Sequence, residues 1–220
     1  DTPVDQLPEG FGKDGKRHIN GFAFDKTLES LVFHPKTWPI VMELTNQKPR
    51  LTSGTLQVDL PDSGGGGLHC ARDDYGWESC RYEVRDNKIY CDNFVVFPYF
   101  DDVFPGDGGL LVVPGSHKAS FPRPKTMFYN GNVVDTNDLP LGVINLTPRA
   151  GDVLIISELL THGILPWNPP DRIRRILVLR YTPQHKGGGG PSETLKAVFL
   201  DTLVTYCVAN IHPVQATRLL

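Results

Sequence analysis

Cysteine is scarce in this chain, and so are charge of one sign and long apolar runs. Each scarcity removes a class of protein. Four cysteines (Cys70, Cys80, Cys91 and Cys207) stand among 220 residues, and no pair has CxxC spacing. That excludes a disulfide scaffold and a zinc ribbon. It points instead to reduced thiols in a cytoplasmic protein, with Cys70–Cys80 as the one bridge worth weighing. The longest apolar stretches, such as Val153–Ile156, fall far short of a bilayer's width, so no membrane partner is expected. A formal net charge of −3, with no segment dense in lysine or arginine, argues against nucleic acid as a partner. No basic-then-apolar leader opens the chain, which begins at Asp1. Asn145-Leu146-Thr147 matches a glycosylation sequon, but matches of three residues arise often by chance. What is present is 40% hydrophobic and 21% charged residues, the balance of a globular protein with a real core, at a length suited to one domain.

Residues 1–24 are rich in glycine, proline and charge, show no period, and are expected to wrap the surface. From Asp25 to Leu44 the apolar residues Leu28, Leu31 and Val32, then Ile40, Val41 and Leu44, sit at helical spacing. Pro35 interrupts them, which predicts two short helices joined at His34–Pro35, with Asp25 capping the first. From about Thr52 the pattern turns to strands. Leu56-Gln57-Val58-Asp59-Leu60 alternates as a half-buried strand should. Further strands are predicted at 88–99, 110–113, 143–146, 152–156 and 174–181, separated by turn clusters such as Pro105-Gly106-Asp107-Gly108-Gly109. Many short strands between such turns predict a mostly β sandwich or barrel. A helical pattern returns at 191–209, where Leu195, Val198 and Phe199 share a face. The expected organisation is a single domain over 1–220: an N-terminal surface and helical layer (1–50), a β core (51–185), and a C-terminal helix and tail (191–220). Two runs of four glycines, Gly64–Gly67 and Gly187–Gly190, read as linkers and are given no function.

His69 and His162 each flank a predicted strand. Histidines far apart in sequence meet when a sheet closes on itself, and a strand-end imidazole suits divalent iron. Taken singly, each is more often an ordinary packing residue. Their surroundings are more specific. Gly108-Gly109-Leu110-Leu111-Val112-Val113-Pro114-Gly115-Ser116-His117-Lys118 is followed by Ala150-Gly151-Asp152, then His162-Gly163, then Arg174-Arg175 about a dozen residues on. Over roughly Leu56 to Pro183 this resembles the phytanoyl-CoA dioxygenase family of Fe(II)/2-oxoglutarate-dependent oxygenases. The resemblance implies a double-stranded β-helix (a cupin-like jelly-roll) that binds Fe(II) and 2-oxoglutarate and oxidises a C–H bond of a small organic substrate. It implies His69 and His162 as metal ligands, and an arginine that clamps the far carboxylate of 2-oxoglutarate through two parallel bonds. Arg174 and Arg175 compete for that place; alternation allows only one to face the interior, and Arg174 aligns better. The same resemblance makes the His117 segment a structural turn rather than a ligand.

At one position the pattern fails. The family's first ligands read His-x-Asp, residues i and i+2 on one strand face. Here the sequence is His69-Cys70-Ala71-Arg72-Asp73-Asp74, with alanine at the carboxylate position. Three readings follow. Asp73 or Asp74 could supply the carboxylate, although i to i+4 spans about 13 Å in a straight strand and demands a bend. Two histidines and 2-oxoglutarate could leave a position for water or halide, as in the iron/2-oxoglutarate halogenases that this alanine resembles. Or the site could be degenerate and the domain a non-catalytic binding module. Cys70 is expected to point away from the metal and be buried. Phe97, Tyr99 and Phe100 are candidates for a substrate pocket or for plain core, and the loops Asp73–Glu78 and Thr126–Asn132 for substrate contacts.

Overall fold

The computed structural model describes residues 17–75, 80–121 and 139–186. The expected C-terminal helix, Cys207, the second glycine run and the loop Thr126–Asn132 lie outside the described residues.

Eleven strands are described: β1 (Arg17–His18), β2 (Pro49–Asp59), β3 (Gly66–His69), β4 (Tyr82–Arg85), β5 (Lys88–Cys91), β6 (Phe94–Pro98), β7 (Gly109–Val112), β8 (Ile144–Asn145), β9 (Val153–Ser157), β10 (His162–Leu165) and β11 (Arg174–Pro183). One sheet runs β1-β2-β11-β6-β9, the other β3-β10-β7-β8, and all neighbours pair antiparallel. The chain alternates between the two sheets as it advances: β2 to β3, β6 to β7, β9 to β10 and on to β11. That is the winding of a double-stranded β-helix, so the jelly-roll expected from the sequence is the fold observed. The predicted strand 88–99 is two strands. β5 closes a hairpin with β4 through Asp86 and Asn87, both at positive φ (52° and 57°), the backbone of a tight hairpin turn. β6 joins the main sheet.

The helical layer follows the expected plan. α1 (Lys26–Ser30) is capped by Asp25, whose carboxylate accepts from the Thr27 amide at 2.7 Å. A 3-10 turn (Leu31–Phe33) leads through His34–Pro35 to α2 (Trp38–Leu44). This layer covers the outer face of the five-stranded sheet. Phe22, Val32, Phe33 and Val41 pack against Leu56, Val58, Phe94, Val96, Leu177 and Leu179, and the Tyr181 hydroxyl donates to the Val32 carbonyl at 2.9 Å. Phe22 lies directly over Gly54, where any Cβ would collide with its ring.

Period-2 alternation then fixes what faces inward. On β6, Phe94 and Val96 meet the helices while Val95 and Phe97 turn into the barrel. On β11, Leu177, Leu179 and Tyr181 face outward to the helices, and Arg174, Ile176, Val178 and Arg180 line the interior. β2 carries a bulge opposite the Arg180–Tyr181 step, which sets Leu51 on the same face as Leu56 despite the odd spacing. Gln57 and Asp59, polar residues of an apparently half-buried strand, are 7% and 6% exposed: their face is the barrel interior, not solvent. Phe97 and Tyr99 line that interior, whereas Phe100 packs with the outer cluster.

Candidate functional site

β3 and β10 are neighbours in the smaller sheet, and their register sets His162 directly opposite His69. The ring centroids are 4.3 Å apart. Each ring is anchored in the same manner. His69 Nδ1 is 2.9 Å from the Gly67 carbonyl and His162 Nδ1 is 2.7 Å from the Leu160 carbonyl. A carbonyl can only accept, so each Nδ1 carries a proton, and Nε2 is the nitrogen left to face a metal. Burial pushes the His162 pKa below its ordinary value. His69 and Arg180 push it the same way, against the Leu160 carbonyl and the Glu158 carboxylate. The ring is therefore neutral, the form that binds a metal.

The first glycine run, read from sequence as a linker, is part of this arrangement. Gly66 and Gly67 open β3. A Cβ at Gly65 would strike the Ile164 carbonyl, and one at Gly163 would crowd Gly66 and Gly67, so β3 and β10 approach through glycine. β3 then ends at His69 and α3 (Ala71–Tyr75) begins two residues later. The i, i+2 strand rule thus ceases to apply at Ala71, whose side chain packs with Cys80 and Leu159. Asp73 Oδ2 accepts from the Cys70 amide at 2.8 Å, reaching back to cap the start of α3. This is the work of a helix cap, and it turns Asp73 to its own backbone. The side chain of Asp74 lies outside the described residues.

Both histidines open onto a cavity of about 220 Å³ inside the barrel, also lined by Thr55, Gln57, Tyr99, Glu158, Arg174 and Arg180. Arg174 and Arg175 diverge as alternation requires. Arg174 is 2% exposed; its Nε donates to Asp59 Oδ2 at 2.8 Å, its Nη2 pairs with the same oxygen at 2.6 Å, and its guanidinium lies 5.3 Å from the Trp167 ring centre. Gln57 Nε2 supports the Asp59 carboxylate at 3.0 and 3.2 Å. Arg175 turns outward to a two-point pair with Asp101, at 2.9 and 2.7 Å. Burial raises the Tyr99 phenol to about 12, so it lines the cavity as a protonated donor.

The Gly108–Lys118 segment explains itself in this setting. Gly108 and Gly109 have φ of +98° and +88°; a Cβ on the first would strike the Pro166 carbonyl, and on the second Arg174 Nη1. Glycine here leaves room for the guanidinium. Ser116 Oγ accepts from the Thr161 amide at 2.7 Å and so ties the turn to the residue before His162. His117 stacks edge-on to Tyr82 at 4.6 Å, and its carbonyl accepts from Arg72 at 3.2 Å, a structural role as expected. Asn145 spends its amide on the Gly108 and Leu110 carbonyls. Cys70, Cys80 and Cys91 are buried free thiols.

The family model described as phytanoyl-CoA dioxygenase (PhyH) matches residues 9–167. The chain belongs to the phytanoyl-CoA dioxygenase family. It is thereby a non-haem iron, 2-oxoglutarate-dependent enzyme, which sets aside the non-catalytic module. No curated protein matches the chain. Among solved structures it resembles HygX from Streptomyces hygroscopicus with nickel and 2-oxoglutarate bound, at 24% identity and a TM-score of 0.64 over 77% of this chain and 70% of that one. AviO1 from Streptomyces viridochromogenes Tue57 follows at 18% identity and 0.53, over 79% and 69%. The non-heme alpha ketoglutarate dependent epimerase SnoN from nogalamycin biosynthesis gives 17% and 0.52, over 76% and 62%. At these identities the likeness shows the fold.

Within this phytanoyl-CoA dioxygenase fold, three interior residues went unnoticed in the sequence: Asp59, Glu158 and Arg180. Two had a signal. Asp59 lies on the polar side of an alternating strand, and Arg180 falls six residues after Arg174, on the same face. Glu158 sits in the crossing between β9 and β10, where no periodicity speaks.

Proposed function

We propose that this enzyme oxidises a C–H bond of a small organic substrate, with His69 and His162 binding Fe(II) and Arg174 clamping 2-oxoglutarate. The observation that carries the reading is the pair of opposed imidazoles, each with Nδ1 tethered and Nε2 free. Pre-oriented nitrogen donors at strand ends suit divalent iron. When bound, Fe(II) and 2-oxoglutarate supply the oxidising power, drawn from oxygen, for cleaving the C–H bond.

The chain's own residues orient and enclose. Asp59 occupies the Nε side of the Arg174 fork, fixing the plane of the guanidinium and leaving Nη1 for an incoming carboxylate. Tyr99, protonated, offers a hydroxyl within the same cavity. Phe97, Leu110, Ile164, Ile176 and Val178 supply apolar walls that exclude water around the reacting atoms. A cavity of about 220 Å³ suits a small cosubstrate and leaves the substrate to enter from the barrel mouth. HygX has been solved with nickel, 2-oxoglutarate and hygromycin B bound, and that precedent supports a small-molecule substrate here.

Anaerobic titration of the protein with Fe(II) and 2-oxoglutarate tests the reading. The weak visible charge-transfer band of the chelate is expected in wild type and should vanish in His162→Ala and His69→Ala. Absence of the band in wild type, together with no 2-oxoglutarate consumption in air, would overturn it.

A further inference from the structure

Two imidazoles bring no negative charge to a divalent ion, Ala71 has no carboxylate, and Asp73 Oδ2 is engaged by the Cys70 amide. Glu158 is the carboxylate that shares their cavity. It lies directly after β9 and reaches His162 through only Leu159, Leu160 and Thr161. Its backbone is held on both sides: the Glu158 amide donates to the Asn93 carbonyl at 3.0 Å, and the Ala71 amide donates to the Glu158 carbonyl at 2.8 Å. The second bond decides the matter of place. It sets Glu158 beside the very position where the family pattern has its aspartate, on a neighbouring segment and with one more methylene of reach.

The state of the side chain also points to a cation. Glu158 is 8% exposed. Its Oε1 stands 2.8 Å from Arg180 Nη2, yet it accepts no aligned N–H, and Arg180 Nε is likewise buried without an acceptor. The contact is close but not aligned as a hydrogen bond, and the Arg180 side chain is 39% exposed, so it can turn to solvent and release the carboxylate. Among the described residues no three metal-binding side chains stand together at ligand distance, and Glu158 Oε1 lies against Arg180 instead.

We propose that Glu158 is the third protein ligand, leaving Arg180 to complete a His69–His162–Glu158 face for the divalent metal. The inference rests on the proposed iron site and supplies from another segment the charge that Ala71 lacks. Two histidines and one carboxylate on one face would leave the remaining positions for 2-oxoglutarate and oxygen.

Cobalt(II), a spectroscopically visible stand-in, tests it by calorimetric titration of metal-free protein. Glu158→Gln keeps the shape and removes the charge, and should weaken Co(II) binding at least tenfold. Arg180→Met removes the competitor for the carboxylate, and should leave binding as tight as wild type or tighter. Should Glu158→Gln unfold because Arg180 is stranded, the double variant Glu158→Gln/Arg180→Met removes both charges and should still bind weakly. Equal affinity in wild type and the glutamine variants would overturn the inference while leaving the two-histidine site intact. So would equal weakening by Glu158→Gln and Arg180→Met, the mark of a purely structural ion pair. A shift of the Co(II) spectrum by bromide in wild type, unaltered in Glu158→Gln, would hand the position to halide instead. Failure of wild type to bind Co(II) at all would remove the iron site itself.

Discussion

Replacing Arg174 with methionine separates what this residue does for the fold from the 2-oxoglutarate clamp proposed for it. The guanidinium is 2% exposed and makes two short contacts with one oxygen of Asp59, at 2.8 and 2.6 Å. Its removal leaves a carboxylate that is itself 6% exposed, supported only by the Gln57 amide at 3.0 and 3.2 Å. Breaking one partner out of a buried pair costs about 3–5 kcal/mol; with Gln57 still in place, the lower end, about 3 kcal/mol, is expected. Removing both charges in Arg174→Met/Asp59→Leu should recover most of that loss, because apolar replacement of a buried pair is often neutral. Cosubstrate binding should behave differently. A charge-assisted bond to a carboxylate contributes about 1.5–3 kcal/mol, so losing the Nη1 contact weakens 2-oxoglutarate by roughly ten- to a hundredfold in both variants. Urea denaturation of the metal-free proteins measures the first quantity, and anaerobic titration of the charge-transfer band the second. If Arg174→Met binds 2-oxoglutarate as wild type does, the clamp is elsewhere. A double variant no more stable than the single one would refute the claim that Asp59 suffers from being stranded.

Gly109→Ala should lower both stability and 2-oxoglutarate affinity, since the new methyl meets Arg174 Nη1 at a φ of +88°; left-handed backbone alone costs about 1–2 kcal/mol, read as a fall in Tm. Ala71→Asp should destabilise rather than tighten the site, because its side chain enters the cluster of Cys80 and Leu159 beside Glu158; a Co(II) affinity above wild type would contradict this. Burial raises the thiols of Cys80 and Cys91 from 9.0 to about 11, so the unfolded chain releases those protons first, and stability should fall as pH climbs between those values. Comparing urea midpoints at about pH 8 and about pH 10 checks the sign, and native thiols should react slowly with disulfide reagents at the lower pH.

The parts of the fold legible in sequence were those governed by local chemistry. The break at Pro35, the Asp25 cap and the alternation of β2 and β11 each follow from one residue's backbone preference or from a period, and each is found where expected. Two things were less legible. β3 begins inside a glycine run, where no side-chain pattern exists to be read; its identity comes from pairing with β10, a contact between residues far apart in the chain. The polar side of β2 resembled a solvent face, because alternation reports that two faces differ and not which of them is wet. Only closure of the barrel reveals that Gln57 and Asp59 look inward, toward Arg174.

The same reasoning bears on the missing carboxylate. A motif such as His-x-Asp encodes a geometry, two donors on one strand face, and it disappears from the sequence when the strand ends early. Here β3 stops at His69, and the turn into α3 sends residue 71 into apolar packing. A charge can then return only from a neighbouring segment. The Ala71–Glu158 backbone bond identifies that segment, and Glu158 is the acidic side chain it carries into the cavity of the two histidines. An alanine at the ligand position therefore does not by itself imply halide chemistry or decay. It implies them only if no neighbouring segment supplies a carboxylate, and Glu158 is the residue proposed to supply it here.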